Sequence, residues 1–344
     1  MFRITRIADS YGRWIQLSYD SGGRVIAATD SIGRKVTYGY PAMPSKLLVE
    51  VRPSEGPVRN YTYGEKNHLD GIRVNGVPYS TLEYYPWPYC YTVKRQTFAD
   101  GSTIDYEYLR DQKKTKITTN SRESLIEYND EGLITADVDP MGNRIEYTYD
   151  GLQRLASLKD PRGATLSYTY DASGNIASVT GLNGATVAYE YDARFAKVSR
   201  ILFPDSTESR FQYDKKGNLV KKVDALGHTT TYRYNADGLL TRAIFPENDS
   251  LFYTYDADGF IESIKDNAKH MIRMTHNPAG WLESLKQADG GIIRFTYDSF
   301  GRLKSATDAL GRITKYFYDP RYNLNRIDTP DGSVTRYIYD ALDR

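Results

Sequence analysis

Apolar and polar residues alternate with a period of two in short runs of this chain, as in Thr165-Leu166-Ser167-Tyr168-Thr169-Tyr170. Such runs, rich in Thr, Ile, Val and Tyr, predict strands. Turn signals interrupt them about every ten residues, too often for helices of ordinary length. Asp160-Pro161-Arg162-Gly163 and Asp308-Ala309-Leu310-Gly311 mark one kind of turn, and Asp298-Ser299-Phe300-Gly301 the other. In each, the aspartate can accept bonds from backbone donors two residues on, and the glycine supplies a positive φ. Successive strand residues point to opposite faces, so Tyr168 and Tyr170 share one face and Thr169 takes the other. The same rule pairs Tyr147 with Tyr149, Tyr189 with Tyr191, Tyr232 with Tyr234, and Tyr337 with Tyr339.

These strand pairs recur. A tyrosine returns about every 21 residues, from Tyr128 through Tyr149, Tyr170, Tyr191, Tyr213, Tyr234, Tyr255, His276, Tyr297, Tyr318 and Tyr339, with a histidine standing in once. Most carry an acid behind them: Tyr149-Asp150, Tyr170-Asp171, Tyr191-Asp192, Tyr213-Asp214, Tyr255-Asp256, Tyr297-Asp298, Tyr318-Asp319 and Tyr339-Asp340, and near the start Tyr19-Asp20. A period in the range of roughly 20–50 residues means arrayed supersecondary units. The expected fold class is therefore all-β, built of repetitive antiparallel β-hairpins of about 21 residues in one continuous sheet strip. We read residues 1–344 as a single repeat array, regular at 1–40 and 128–344 and degenerate at 41–127. In the degenerate stretch Tyr63, Tyr85 and Tyr108 serve as anchors without the aspartate. Equivalent tyrosines are expected to line up in cross-strand ladders, each contact contributing roughly 0.2–1 kcal/mol. The alternative is a β-propeller of four strands per ~42 residues; it should make odd and even repeats differ, and they do not.

Composition narrows the function. Tyrosine accounts for 31 of 344 residues, so it serves as the main structural residue here. Lys+Arg of 45 against Asp+Glu of 44 gives a charge of +1, which leaves no bulk field to draw nucleic acid or an anionic membrane. No apolar run approaches the 18 or so residues of a membrane span, and MFRITRIADSYGRW has no signal-peptide core. Cys90 is the single cysteine, which excludes a disulfide framework and a multi-thiolate zinc site. The four histidines are scattered, His276 at a tyrosine position. Asp256-Ala257-Asp258-Gly259 places its glycine too early for a calcium loop. No nucleophile elbow, phosphate loop or His-Glu-x-x-His is present. No catalytic, cofactor-binding or metal residue is expected, and no enzyme. Arg24, Arg302 and Arg312, each after a turn glycine, are placed to pair with turn aspartates; simple solubility is the plainer reading. One aromatic tract, Tyr85, Trp87, Tyr89 and Tyr91, forms a candidate binding surface for a neighbouring segment or a sugar.

The assembled signature is Tyr-x-Tyr-Asp, then Gly-Arg/Asn-Leu, then Asp-x-x-Gly and a second strand. It resembles the YD repeat of bacterial Rhs proteins, with copies YDSGGRVIAATDSIGRKVTYGY from Tyr19, YDKKGNLVKKVDALGHTTTYRYN from Tyr213 and YDSFGRLKSATDALGRITKYFYD from Tyr297. Similar repeats occur in insecticidal toxin complex proteins, wall-associated toxins and teneurins. The resemblance implies a curved strip that spirals into a hollow shell, here a partial one. It also implies a non-enzymatic role as a shell segment of an Rhs-type polymorphic toxin. The cargo would be a C-terminal toxin domain absent from this chain, and further partners would be other Rhs-shell segments or secretion-system components. Such a chain would be secreted or associated with the cell envelope as part of a larger protein. Rhs cores usually close with a plug region and a variable toxin, whereas this chain stops at YDALDR; a fragment or remnant without payload is the expectation. The alternative function is a cell-surface carbohydrate-binding or adhesion module, with a glycan as partner.

Overall fold

The computed structural model describes residues 3–9, 11–54, 56–86 and 92–340. Local turn chemistry sets the chain's rhythm. At Asp160, the Gly163 N–H donates to the Asp160 carbonyl at 2.9 Å and the Asp160 N–H donates to the Ala164 carbonyl at 2.8 Å. This is the three-residue hairpin loop in which a type I turn is followed by a left-handed residue. Gly163 fills that last position at φ +90°. The Asp160 carboxylate accepts the Arg162 and Ala164 N–H groups, stiffening the loop from inside.

The described residues form 32 strands and three single-turn 3-10 segments, and no α-helix. The chain divides into two compact units, residues 1–103 with 254–344 and residues 104–253. In the first unit, strands from Arg6–Ala8 to Val93–Phe98 each pair antiparallel with the next. Strands from Ile261–Asp266 to Val334–Arg336 do the same. In the second unit the pairing runs from Thr103–Leu109 to Ser250–Tyr255 with no break. A propeller would interrupt the ladder after every fourth strand, so the blade alternative is excluded and the serial-hairpin fold stands.

Two features depart from the expected regular ladder. First, the register slips at most anchors, though not at Tyr108, which pairs with Thr115 in continuous register: Thr148 faces Ser157, but Tyr149 faces Leu155, so Ala156 is left over as a bulge. The same slip precedes Tyr19, Tyr170, Tyr191, Tyr213, Tyr297 and Tyr318. Second, equivalent tyrosines do not stack across neighbouring strands. Tyr147 faces Leu158, Tyr168 faces Val179 and Tyr189 faces Ile201. Each repeat is two strands wide, which puts like residues about 9–10 Å apart, beyond direct ring contact.

Little of this sheet is buried. Among the described residues the buried apolar side chains are small, Ala27, Ala136, Ala243 and Pro57, and no large side chain is sealed from water. Stability must therefore come from neighbour-to-neighbour terms, as in other repeat arrays.

Candidate functional site

Because no large side chain is sealed among the described residues, the candidate functional unit is the hairpin and what its repetition presents. Its hub is the anchor tyrosine. The Tyr149 hydroxyl donates to the Ile134 carbonyl at 2.7 Å, and Ile134 is the residue opposite Tyr128 at the previous slip. A bulge disrupts the ladder locally, and the tyrosine of the following hairpin supplies a donor there. The same bond, always 15 residues back, is made by Tyr19, Tyr170, Tyr191, Tyr213, Tyr297, Tyr318 and Tyr339. Partial burial pushes the phenols of Tyr191, Tyr213, Tyr297 and Tyr318 upward, which keeps them protonated donors. In the degenerate stretch the 15-residue bond is made by Tyr63 and by Tyr84, not Tyr85. The slip also falls at Tyr84, so the anchor expected at Tyr85 is corrected by one residue.

Where an aspartate follows the anchor, it organises the turn, and Asn129, Asn235 and Asn277 accept backbone N–H groups in the same place. Asp150 accepts the Leu152 and Arg154 N–H groups through Oδ1 and Arg154 Nε through Oδ2. Arg154 then lies over the Tyr170 ring, its guanidinium carbon 4.2 Å from the centroid. Arg24 and Arg302 repeat this geometry on Asp20 and Asp298, stacking on Tyr40 and Tyr318. Arg312 pairs with Asp308 in the other turn row. Asn175, Asn218 and Asn323 replace the arginine on Asp171, Asp214 and Asp319. Asp192 holds Arg194, and Asp256 accepts the Asp258 and Phe260 N–H groups. Tyr255 ends its strand. The Asp340 carbonyl accepts from Arg321.

Histidines prove to be members of the pattern. His228 and His270 take the arginine position, Nδ1 facing Asp224 at 3.2 Å and Asp266 at 2.8 Å. His276 sits at an anchor slip, its ring 5.2 Å from Phe260.

On the face opposite the tyrosines lie two features that sequence reading missed. Thr148, Thr169, Thr254, Thr275 and Thr296 each share a hydroxyl bond of 2.6–2.8 Å with Ser157, Ser178, Ser263, Ser284 and Ser305 across the strand pair. The signal was present as Thr before the anchor and Leu/Ile-x-Ser after the turn. Beside this row, charges alternate from strand to strand: Glu127 meets Lys114 at 3.1 Å and Arg144 at 2.8 Å, while Glu146 meets Arg144 at 3.1 Å and Lys159 at 3.2 Å. The Arg144 hydrogen bond, assisted by Lys114 and opposed by partial burial, pulls the Glu127 carboxyl down to about 2. A carboxylate depressed on folding stabilises the native state above its unfolded pKa, and that contribution fades as pH falls through the folded value. Chemical denaturation should therefore show residues 104–253 losing stability from pH 4.5 toward about 2. Glu127→Gln should cost about 1–2 kcal/mol at pH 7 and flatten this acid limb.

Of the aromatic tract, the Tyr85 N–H donates to the Thr92 carbonyl at 3.0 Å. Trp87, Tyr89 and Tyr91, with Cys90, lie outside the described residues. No group of three or more His, Cys, Asp or Glu able to hold a metal occurs among the described residues. No helix there is long and apolar enough to cross a membrane.

Comparison with known proteins places this unit. Residues 89–224 match the Teneurin YD-shell family model, and residues 204–249, 276–313 and 297–334 match the RHS Repeat model. Among solved structures, the chain is similar to TcdB2-TccC3-TEV at 16% identity and TM-score 0.58, covering 96% of this chain and 22% of that one. It is similar also to TcdB2-TccC3 without its hypervariable C-terminal region, at 15% identity and TM-score 0.59, covering 96% and 21%. These likenesses show the fold, and the chain spans about a fifth of the length of the chains it matches. Among curated proteins no sequence matches it.

Proposed function

For this chain, a YD-repeat protein of the Rhs type, we propose a non-enzymatic role as shell wall, enclosing and protecting a C-terminal toxin effector until delivery. The observation that carries this reading is the coreless sheet: no large side chain is sealed anywhere among the described residues. A chain that extends by serial strand pairing and buries little of itself is organised to present area, which suits a partition better than a catalytic cleft. The repeated turns and tyrosine bonds supply stiffness along the strip without any unique residue for chemistry. In this reading the protein acts as part of a larger secreted or envelope-associated polypeptide, with the toxin as cargo and other shell segments as neighbours.

The test is protection of cargo. The polypeptide is produced with its native downstream domain, and the half-life of that domain under protease is compared with that of the domain alone. We expect at least a tenfold longer half-life in the joined protein. Equal digestion of both would reject containment.

A further inference from the structure

Within the unit formed by residues 1–103 and 254–344, two rows of turns meet side by side. The Tyr11 ring covers Gly259, so closely that a Cβ there would fall 2.6 Å from Tyr11 Cζ. Arg13 lies 5.2 Å from the Phe260 centroid and Arg34 lies 5.8 Å from that of Trp281. The Tyr322 hydroxyl reaches into the space beside Gly56. Asn75 Nδ2 donates to the Pro320 carbonyl at 3.3 Å, across 245 residues of chain. The turns at Arg13 and Arg34 thus meet those at Phe260 and Trp281, and Gly56 and Asn75 both meet the turn that holds Pro320 and Tyr322.

The second row is unusual for its repeat position. After the left-handed turn residue, a glycine in most repeats and Gln153 in one, the second unit carries Arg154, Asn175, Asn218 and Leu239, whereas this row carries Phe260 and Trp281. The next turns bring Phe300 and Tyr322, whose rings are 4.8 Å apart. Tyr322 occupies a left-handed backbone at φ +77°, where most repeats use glycine. A bulky residue in that region is strained, and such strain persists only where its surroundings hold it. Aromatic residues replace the repeat's usual choices where the two rows touch.

We propose that this aromatic seam is a latch, the line along which the wall opens while its strands stay paired. The relative strengths support it. A seam contact of the Arg13–Phe260 kind is a single cation–ring attraction made by a half-exposed guanidinium, a weak contact taken alone. Each strand junction instead carries several ladder bonds together with turn and tyrosine bonds, so the seam is the sub-global opening of lowest cost. The inference rests on the shell reading for its purpose but not for its test.

The latch places Arg13 and Arg34, both trypsin sites, within the seam. In the full chain, Phe260→Asn with Trp281→Asn restores the residue type of Asn175 and Asn218. We expect cleavage after Arg13 and Arg34 to quicken about tenfold, read by mass spectrometry. Cleavage after Arg154 and Arg210 should stay within twofold. Leu239→Asn, the same turn position in the second unit, should leave cleavage at Arg13 and Arg34 unchanged. Tyr322→Gly should open the seam likewise while keeping or raising resistance to urea, since it relieves the strained φ. Unchanged cleavage at Arg13 and Arg34 in the double variant overturns the latch, as does equal acceleration at every site, which would mean global loosening. Failure of cargo protection with a seam that opens as described would reject containment and leave the latch intact.

Discussion

Tyr170→Ala should lower stability to urea by about 3 kcal/mol, and Tyr170→Phe by about 1 kcal/mol, the larger loss combining aromatic truncation with a broken bond. Three separate interactions converge on this side chain. Its hydroxyl donates to the Leu155 carbonyl at 2.8 Å, its ring supports Arg154, and its backbone stands at the register slip opposite Ile176. Phenylalanine keeps the ring and its cation contact but leaves the carbonyl without this donor. Alanine removes the ring as well, so the Arg154 guanidinium loses the surface on which it lies. The damage should also be local, because each repeat depends on its neighbours. Hydrogen exchange should quicken in Leu155–Lys159 and Thr165–Tyr170 and remain unchanged beyond the adjoining hairpins. A uniform rise across residues 104–253 would show that the repeats act as one cooperative block, contrary to this picture.

Gly301→Val should be at least as costly, about 3 kcal/mol or more, because two penalties coincide. Gly301 has φ +85°, a conformation that a β-branched residue strongly resists. Its missing side chain also makes room for Trp281, since a Cβ would fall 2.6 Å from Cε2 of that ring. Overpacking of a rigid indole adds about 1–3 kcal/mol to the backbone cost. Gly163→Ala separates the two effects. Gly163 has φ +90° but nothing within 4 Å of its would-be Cβ, so alanine there should cost only about 1 kcal/mol. Melting temperatures of the two variants measured together would decide the matter. Equal losses would mean that the Trp281 contact contributes nothing to the constraint at Gly301.

Much of the hairpin was readable from residue order because its determinants are local. Asp160 and Gly163 are three residues apart, and the turn they make needs nothing from elsewhere in the chain. Arg302 lies four residues from Asp298, within reach of its carboxylate in any such turn. The anchor role of Tyr84 was misassigned because two adjacent tyrosines, Tyr84 and Tyr85, fit a degenerate spacing equally well. Only the 15-residue bond to Leu69 distinguishes them. The Thr–Ser row was visible in the letters, yet its meaning depends on register: the slip that brings Thr148 opposite Ser157 rather than Ala156 is a property of paired strands. His228 and His270 were overlooked for a similar reason, since an imidazole joins the arginine position only when the turn brings it onto its aspartate.

By itself, the order of residues determined the strand period, the turns, the hairpin repeat and the absence of any recognisable catalytic motif. These follow from φ preferences, side-chain alternation and contacts spanning fewer than about 20 residues. Tertiary structure alone decided the bulge at most anchors, the spacing that keeps equivalent tyrosines apart, and the meeting of Tyr11 with Gly259 and Asn75 with Pro320. Those contacts depend on how small twists and register slips add up over many strands, a sum that no single repeat carries in its own sequence.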